Sequence, residues 1–113
     1  MNPKAKEILE KLKELKQLSN DTNIKLNKAG VKITNIPKEE LFAYNLKDIF
    51  TAMEELIRNE PSEKPRIRLG KAIPKAYENI DKIQKTPEGN VCSEALTRIK
   101  TLIKYLEDSH IAL

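Results

Sequence analysis

Apolar residues recur every three or four positions along most of this chain, with charged residues between them. Ala5, Ile8, Leu9, Leu12, Leu15 and Leu18 make the first run, which predicts an amphipathic helix over roughly residues 3–18. Asn2 can cap it, and Pro3 suits a first helical turn because its missing N–H has no partner there anyway. Ser19-Asn20-Asp21-Thr22 is the predicted stop.

Residues 23–36 carry two patterns. Ile24, Leu26 and Ala29 can line a short helix closed by Gly30, whereas Val31-Lys32-Ile33-Thr34 alternates like a strand. Pro37 starts a new segment, and residues 38–44 make about two helical turns. Asn45 is read as the cap of the next helix, with Asp48 three residues on and Leu46, Ile49, Phe50, Met53, Leu56 and Ile57 as its stripe. Asn59-Glu60-Pro61 stops it, and Pro61-Ser62-Glu63-Lys64-Pro65 reads as a linker.

Past the linker, Pro74 either opens a helix that runs to about Lys85 or kinks one begun earlier, with Ala76, Tyr77, Ile80 and Ile83 inward. Residues 86–90 make a turn or a capped helix start. Cys92, Leu96, Ile99, Ile103 and Leu106 then step +4, +3, +4, +3, widened by Ala95 and Leu102, which predicts a last helix with one buried face. The pattern as a whole predicts an all-α fold: a small four- to five-helix bundle. A minor two-stranded ribbon pairing 31–34 with 66–69 is the one β alternative, since both stretches alternate apolar and basic residues.

Length and composition agree. The 113 residues make one domain, 1–113, with the linker-like stretch at 61–65. With three Tyr, two Phe and no Trp, the core must be aliphatic, and three Gly and six Pro are few for an all-β fold. One Cys and one His exclude a disulfide framework and leave little for a zinc site. No stretch reaches the roughly 18 apolar residues of a membrane helix. The first residues carry charges where a secretion signal carries its apolar run. A cytoplasmic location is expected, and Cys92 as a free thiol fits it.

The residue types of catalysis occur without their geometry. Asp108-Ser109-His110 holds the three residues of a hydrolase triad, but triad members are normally brought together from distant parts of a chain. Glu39-Glu40 and Glu54-Glu55 are paired carboxylates with no His beside them, and Leu69-Gly70-Lys71 lacks the second glycine and the Ser or Thr of a phosphate loop. Cys92 lies on an apolar stripe. We expect no catalytic, cofactor-binding or metal-binding residues, no cofactor and no small-molecule substrate: a non-enzyme.

The charge pattern singles out one stretch. The net charge is +4, and no acidic residue occurs from Lys64 to Tyr77, while Lys64, Arg66, Arg68, Lys71 and Lys75 all do. Arg forks onto phosphate or carboxylate, and a tyrosine can stack on a base, so Lys64, Arg66, Arg68, Lys71, Lys75 and Tyr77 are the candidate polyanion-binding residues. If the stretch is a loop entering a helix, amides near 72–76 add to the site. In a ribbon, Lys32, Arg66 and Arg68 would crowd one outer face.

Two functions are expected from this. The first is a helical interaction module acting through a protein partner or a second copy of itself, because the stripes exceed what a small core can bury. The alternative is a nucleic-acid accessory subunit, binding DNA or RNA through residues 64–75.

Overall fold

The computed structural model describes residues 3–28, 42–58, 63–87 and 89–113. Among them are four α-helices and no strand: α1 (Pro3–Lys28), α2 (Phe42–Ile57), α3 (Glu63–Gln84) and α4 (Ser93–Ser109). A 3-10 turn, Gly89–Cys92, leads into α4, and another, His110–Ala112, follows it. The chain is an all-α bundle.

The molecule measures 42 × 24 × 18 Å, and at 1.5 Å per residue α1 is about 39 Å long, so α1 runs along the long axis. It packs chiefly on α4, while α2 and α3 form the most extensive pair and α3 also packs on α4. Each helix contributes its predicted stripe to one core. Ile8, Leu12 and Leu15 meet Leu46, Ile49 and Met53, then Leu69, Ile73 and Ile80, then Leu96, Ile99 and Ile103. One core therefore takes in all four stripes, and among the described residues the surplus inferred from the pattern is not there. Among the described residues the exposed large apolar side chains are Ile24, Ile67 and Ile111.

Helix α1 runs through its predicted stop. Buried Ser19 and Thr22 continue the stripe of Ala5, Ile8, Leu12 and Leu15, and Leu26 extends it one turn more. Ser19 Oγ donates to the Leu15 carbonyl (2.6 Å), so its hydroxyl is satisfied inside the helix rather than at a cap. Thr22 Oγ1 has no hydrogen-bond partner among the described residues. Of the proposed short helix, Leu26 is buried and Ile24 is 46% exposed on the end of α1, while Ala29 and Gly30 lie outside the described residues.

Helix α2 likewise begins at Phe42, so Asn45 does not open it. Residues 38–41 lie outside the described residues, as does the 31–34 half of the suggested ribbon. Its other half is corrected: residues 66–69 are helical. In a strand Ile67 and Leu69 would share a face, but here Leu69 is 1% exposed and Ile67 53%. The stripe Pro65, Leu69, Ala72, Ile73, Ala76, Ile80 and Ile83 has a helical period and buries far more than a two-residue alternation over 66–69 can.

In the linker-like stretch, Glu63, Lys64 and Pro65 form the first turn of α3, where a proline removes no intrahelical bond. Pro74 sits inside α3 and does not open it. It withdraws the amide that would bond the Gly70 carbonyl, and the buried stripe on both sides holds the helix together.

The α3–α4 turn is built tightly. Thr86 Oγ1 donates to the Ile83 carbonyl (2.7 Å) and accepts from the Gly89 amide (2.9 Å). A Cβ on Gly89 would lie 1.8 Å from the Ile83 carbonyl oxygen, so no other residue fits there without moving the turn.

Candidate functional site

The basic stretch lies inside α3, and its helical phase sorts the six candidate residues. Lys64, Arg68, Lys71 and Lys75 step +4, +3, +4 and fall within about 60° of arc on the outer surface, a cation row about 16 Å long. Lys64, Lys71 and Lys75 are exposed and, among the described residues, make no ion pair. Arg68 is half-buried and donates from Nη1 to Glu55 Oε1 on α2 (3.0 Å), which fixes the row against its neighbour helix.

The other two candidates are turned away. Arg66 faces the end of α4, where its Nη1 reaches His110 Nδ1 (2.8 Å) and the His110 carbonyl (3.0 Å), and its Nη2 reaches the Leu113 carbonyl (3.3 Å). A guanidinium only donates, so Nδ1 is the acceptor and the imidazole proton sits on Nε2. Burial and the neighbouring Arg66 charge push the His110 pKa below its ordinary value. Tyr77 packs against the core with its hydroxyl buried and unpartnered, and burial, then Glu107, raises its pKa. Its ring lies on the far side of α3 from the lysine row. Residues 72–76 are mid-helix, so their amides are not a free anion cradle.

Beside the cation row lies a smooth strip that sequence reasoning missed. Ile67, Gly70 and Pro74 are all exposed and occupy the adjoining arc of α3. A Cβ built on Gly70 meets nothing within 4 Å. Glycine in a helix interior costs about 0.5–1 kcal/mol relative to alanine, and no contact within the described chain requires it here. Lys64, Ile67, Arg68 and Lys71 together line a shallow hollow of ≈ 350 Å³. The signal was available: residues 64–77 read as helix place the row and the strip side by side.

Elsewhere, three cations are matched by carboxylates across helices. Arg98 grips Glu14 with two bonds (2.8 and 3.1 Å), Lys16 pairs with Glu54, and Lys100 with Asp81 (2.7 Å). Each pair joins two helices. Lys4 and Lys11 lie 5.2 and 5.9 Å from the centre of the Tyr105 ring.

The residues considered for catalysis are dispersed. Asp108 pairs with Lys104 (3.2 Å), Ser109 is buried, and His110 faces Arg66, so they form no relay. Glu54 and Glu55 are paired to different helices, Cys92 is buried, and Glu39 and Glu40 lie outside the described residues. Among the described residues no three His, Cys, Asp or Glu side chains gather as a metal site, and no helix is long and apolar enough to cross a membrane.

No protein-family model matches this chain, and no curated protein and no solved structure is significantly similar to it.

Proposed function

We propose that this protein is a non-enzymatic helical interaction module that docks an acidic partner through the outer face of α3. One observation carries the reading: Lys64, Lys71 and Lys75 line up with Arg68 on one face of α3 with no acidic residue from Lys64 to Tyr77 between them, and the three lysines have no carboxylate partner among the described residues. Like charges lined up this way repel one another, and an acidic partner relieves that repulsion. A second copy docking face to face brings only the same cations, so the row favours a different molecule.

The test is retention of the whole chain on immobilised poly-glutamate under a salt gradient. Reversing the row (Lys64→Glu, Lys71→Glu, Lys75→Glu) abolishes retention at low salt. Reversing three exposed α1 lysines (Lys6→Glu, Lys13→Glu, Lys25→Glu) gives the same net charge and leaves most of it. Both proteins keep their helical circular dichroism. Equal elution of the two variants overturns the proposal, because retention then follows net charge alone.

A further inference from the structure

We infer that the occupant of the α3 face is an acidic amphipathic helix of a partner protein, its apolar ridge laid along Ile67, Gly70 and Pro74 and its carboxylates facing Lys64, Arg68, Lys71 and Lys75. The inference rests on the docking reading above and names the partner's chemistry.

Three observations select this occupant. The cation row and the apolar strip run parallel down the same helix, so a complementary surface needs an acidic row beside an apolar one. An α-helix with apolar residues at i, i+3 and i+7 and Glu or Asp on one flank presents that arrangement. Gly70 sits midway along the strip with open space above it, where a crossing helix can approach the α3 backbone more closely than over any side chain. Glu63 and Glu78 bound the face at its two ends, which limits the occupant to about three turns.

A phosphate backbone fits less well. It matches the lysines but leaves Ile67, 53% exposed, and Pro74 without an apolar partner. Tyr77, the one aromatic in the acid-free stretch, is partly buried against the core and lies off the lysine row.

The experiment is fluorescence anisotropy with the whole chain against four probes: a 14-residue helical peptide with Leu at i, i+3 and i+7 and a flanking Glu row, its shuffled isomer of equal charge, and a 20-nucleotide DNA in single-stranded and duplex form. The patterned peptide binds at least about tenfold tighter than the shuffled one, a difference of about 1.4 kcal/mol. Gly70→Leu, which fills the strip from an open position and so spares the fold, weakens the patterned peptide about tenfold and the shuffled peptide little. The row-reversed variant (Lys64→Glu, Lys71→Glu, Lys75→Glu) loses both peptides. Two results overturn the inference while the docking reading stands: patterned and shuffled peptides bind alike and Gly70→Leu changes neither, or DNA binds tighter than both with an affinity that falls steeply with salt. If no acidic probe binds even at low salt, the docking reading fails and the inference with it.

Discussion

The seam between α1 and α4 and the outer face of α3 carry the same kinds of residue and use them in opposite ways. At the seam, Arg98 lies against Glu14 with two hydrogen bonds, Lys4 and Lys11 lie near the Tyr105 ring, and Leu12, Leu15, Ile99 and Ile103 are buried beneath. On α3, Lys64, Lys71 and Lys75 point outward beside an exposed isoleucine and a glycine with open space above it. The seam pairs its arginine with a carboxylate and buries its apolar side chains within the molecule. The α3 face carries its lysine row and exposed apolar surface side by side, and the proposed docking face rests on this difference rather than on the net charge of the chain.

The sharpest way to break the comparison is to truncate one isoleucine from each region. Ile99 is fully buried at the seam, so Ile99→Ala should lower unfolding free energy by about 3–5 kcal/mol in urea titrations. Ile67→Ala should change it by less than about 0.5 kcal/mol. A comparable loss at Ile67 would place that side chain in the core and end the docking reading.

The glycines give the next largest contrast. Gly89→Ala forces a Cβ into the Ile83 carbonyl and should cost about 3 kcal/mol. Gly70→Ala, on the open face, should stabilise the isolated protein by about 0.5–1 kcal/mol. If Gly70→Ala destabilises, Gly70 serves the helix itself at Pro74 and not an approaching partner.

A smaller effect is expected from Arg66 and His110, which tie the start of α3 to the end of α4. The folded imidazole resists protonation because it is partly buried and faces a guanidinium, whereas the unfolded chain takes up that proton near pH 6.5. The unfolded state therefore binds more protons below that pH. The contribution is fully present above about pH 6.5 and declines as pH falls toward the depressed folded value. Urea midpoints between pH 7.5 and 5 should fall more for the natural chain than for His110→Gln; parallel curves would show that the contact does not couple to protonation.

The smallest expected effect is at the Arg98–Glu14 pair. Both side chains are well exposed, so Arg98→Gln should shift the thermal midpoint little, and less still in high salt. A large loss would mean that this pair, and not the apolar stripe beneath it, holds α1 on α4.

Much of this was legible in the sequence, and the misses have physical causes. Ile8, Leu12, Leu46, Ile49, Leu96 and Ile99 announce their helices because a buried stripe repeats with the helix's own period, whatever it packs against. The run Ser19-Asn20-Asp21-Thr22 has the residue types of a helix terminus, yet α1 continues, because the bundle buries Ser19 and Thr22 and a hydroxyl can bond its own helix. The acid-free stretch is visible in the sequence, but reading it as a loop or a ribbon hides its helical phase, which groups Arg66 and Tyr77 with lysines that point elsewhere.

By itself the sequence determined the helices, the all-α bundle and the place along the chain where charge goes unbalanced, since each depends on spacing over a few neighbouring residues. Only the tertiary structure decided which cations meet carboxylates on another helix. Lys16 and Glu54, Glu14 and Arg98, and Asp81 and Lys100 are apart in the chain and meet across helices. Charge interactions fall with distance in space, and the packing of the helices sets those distances.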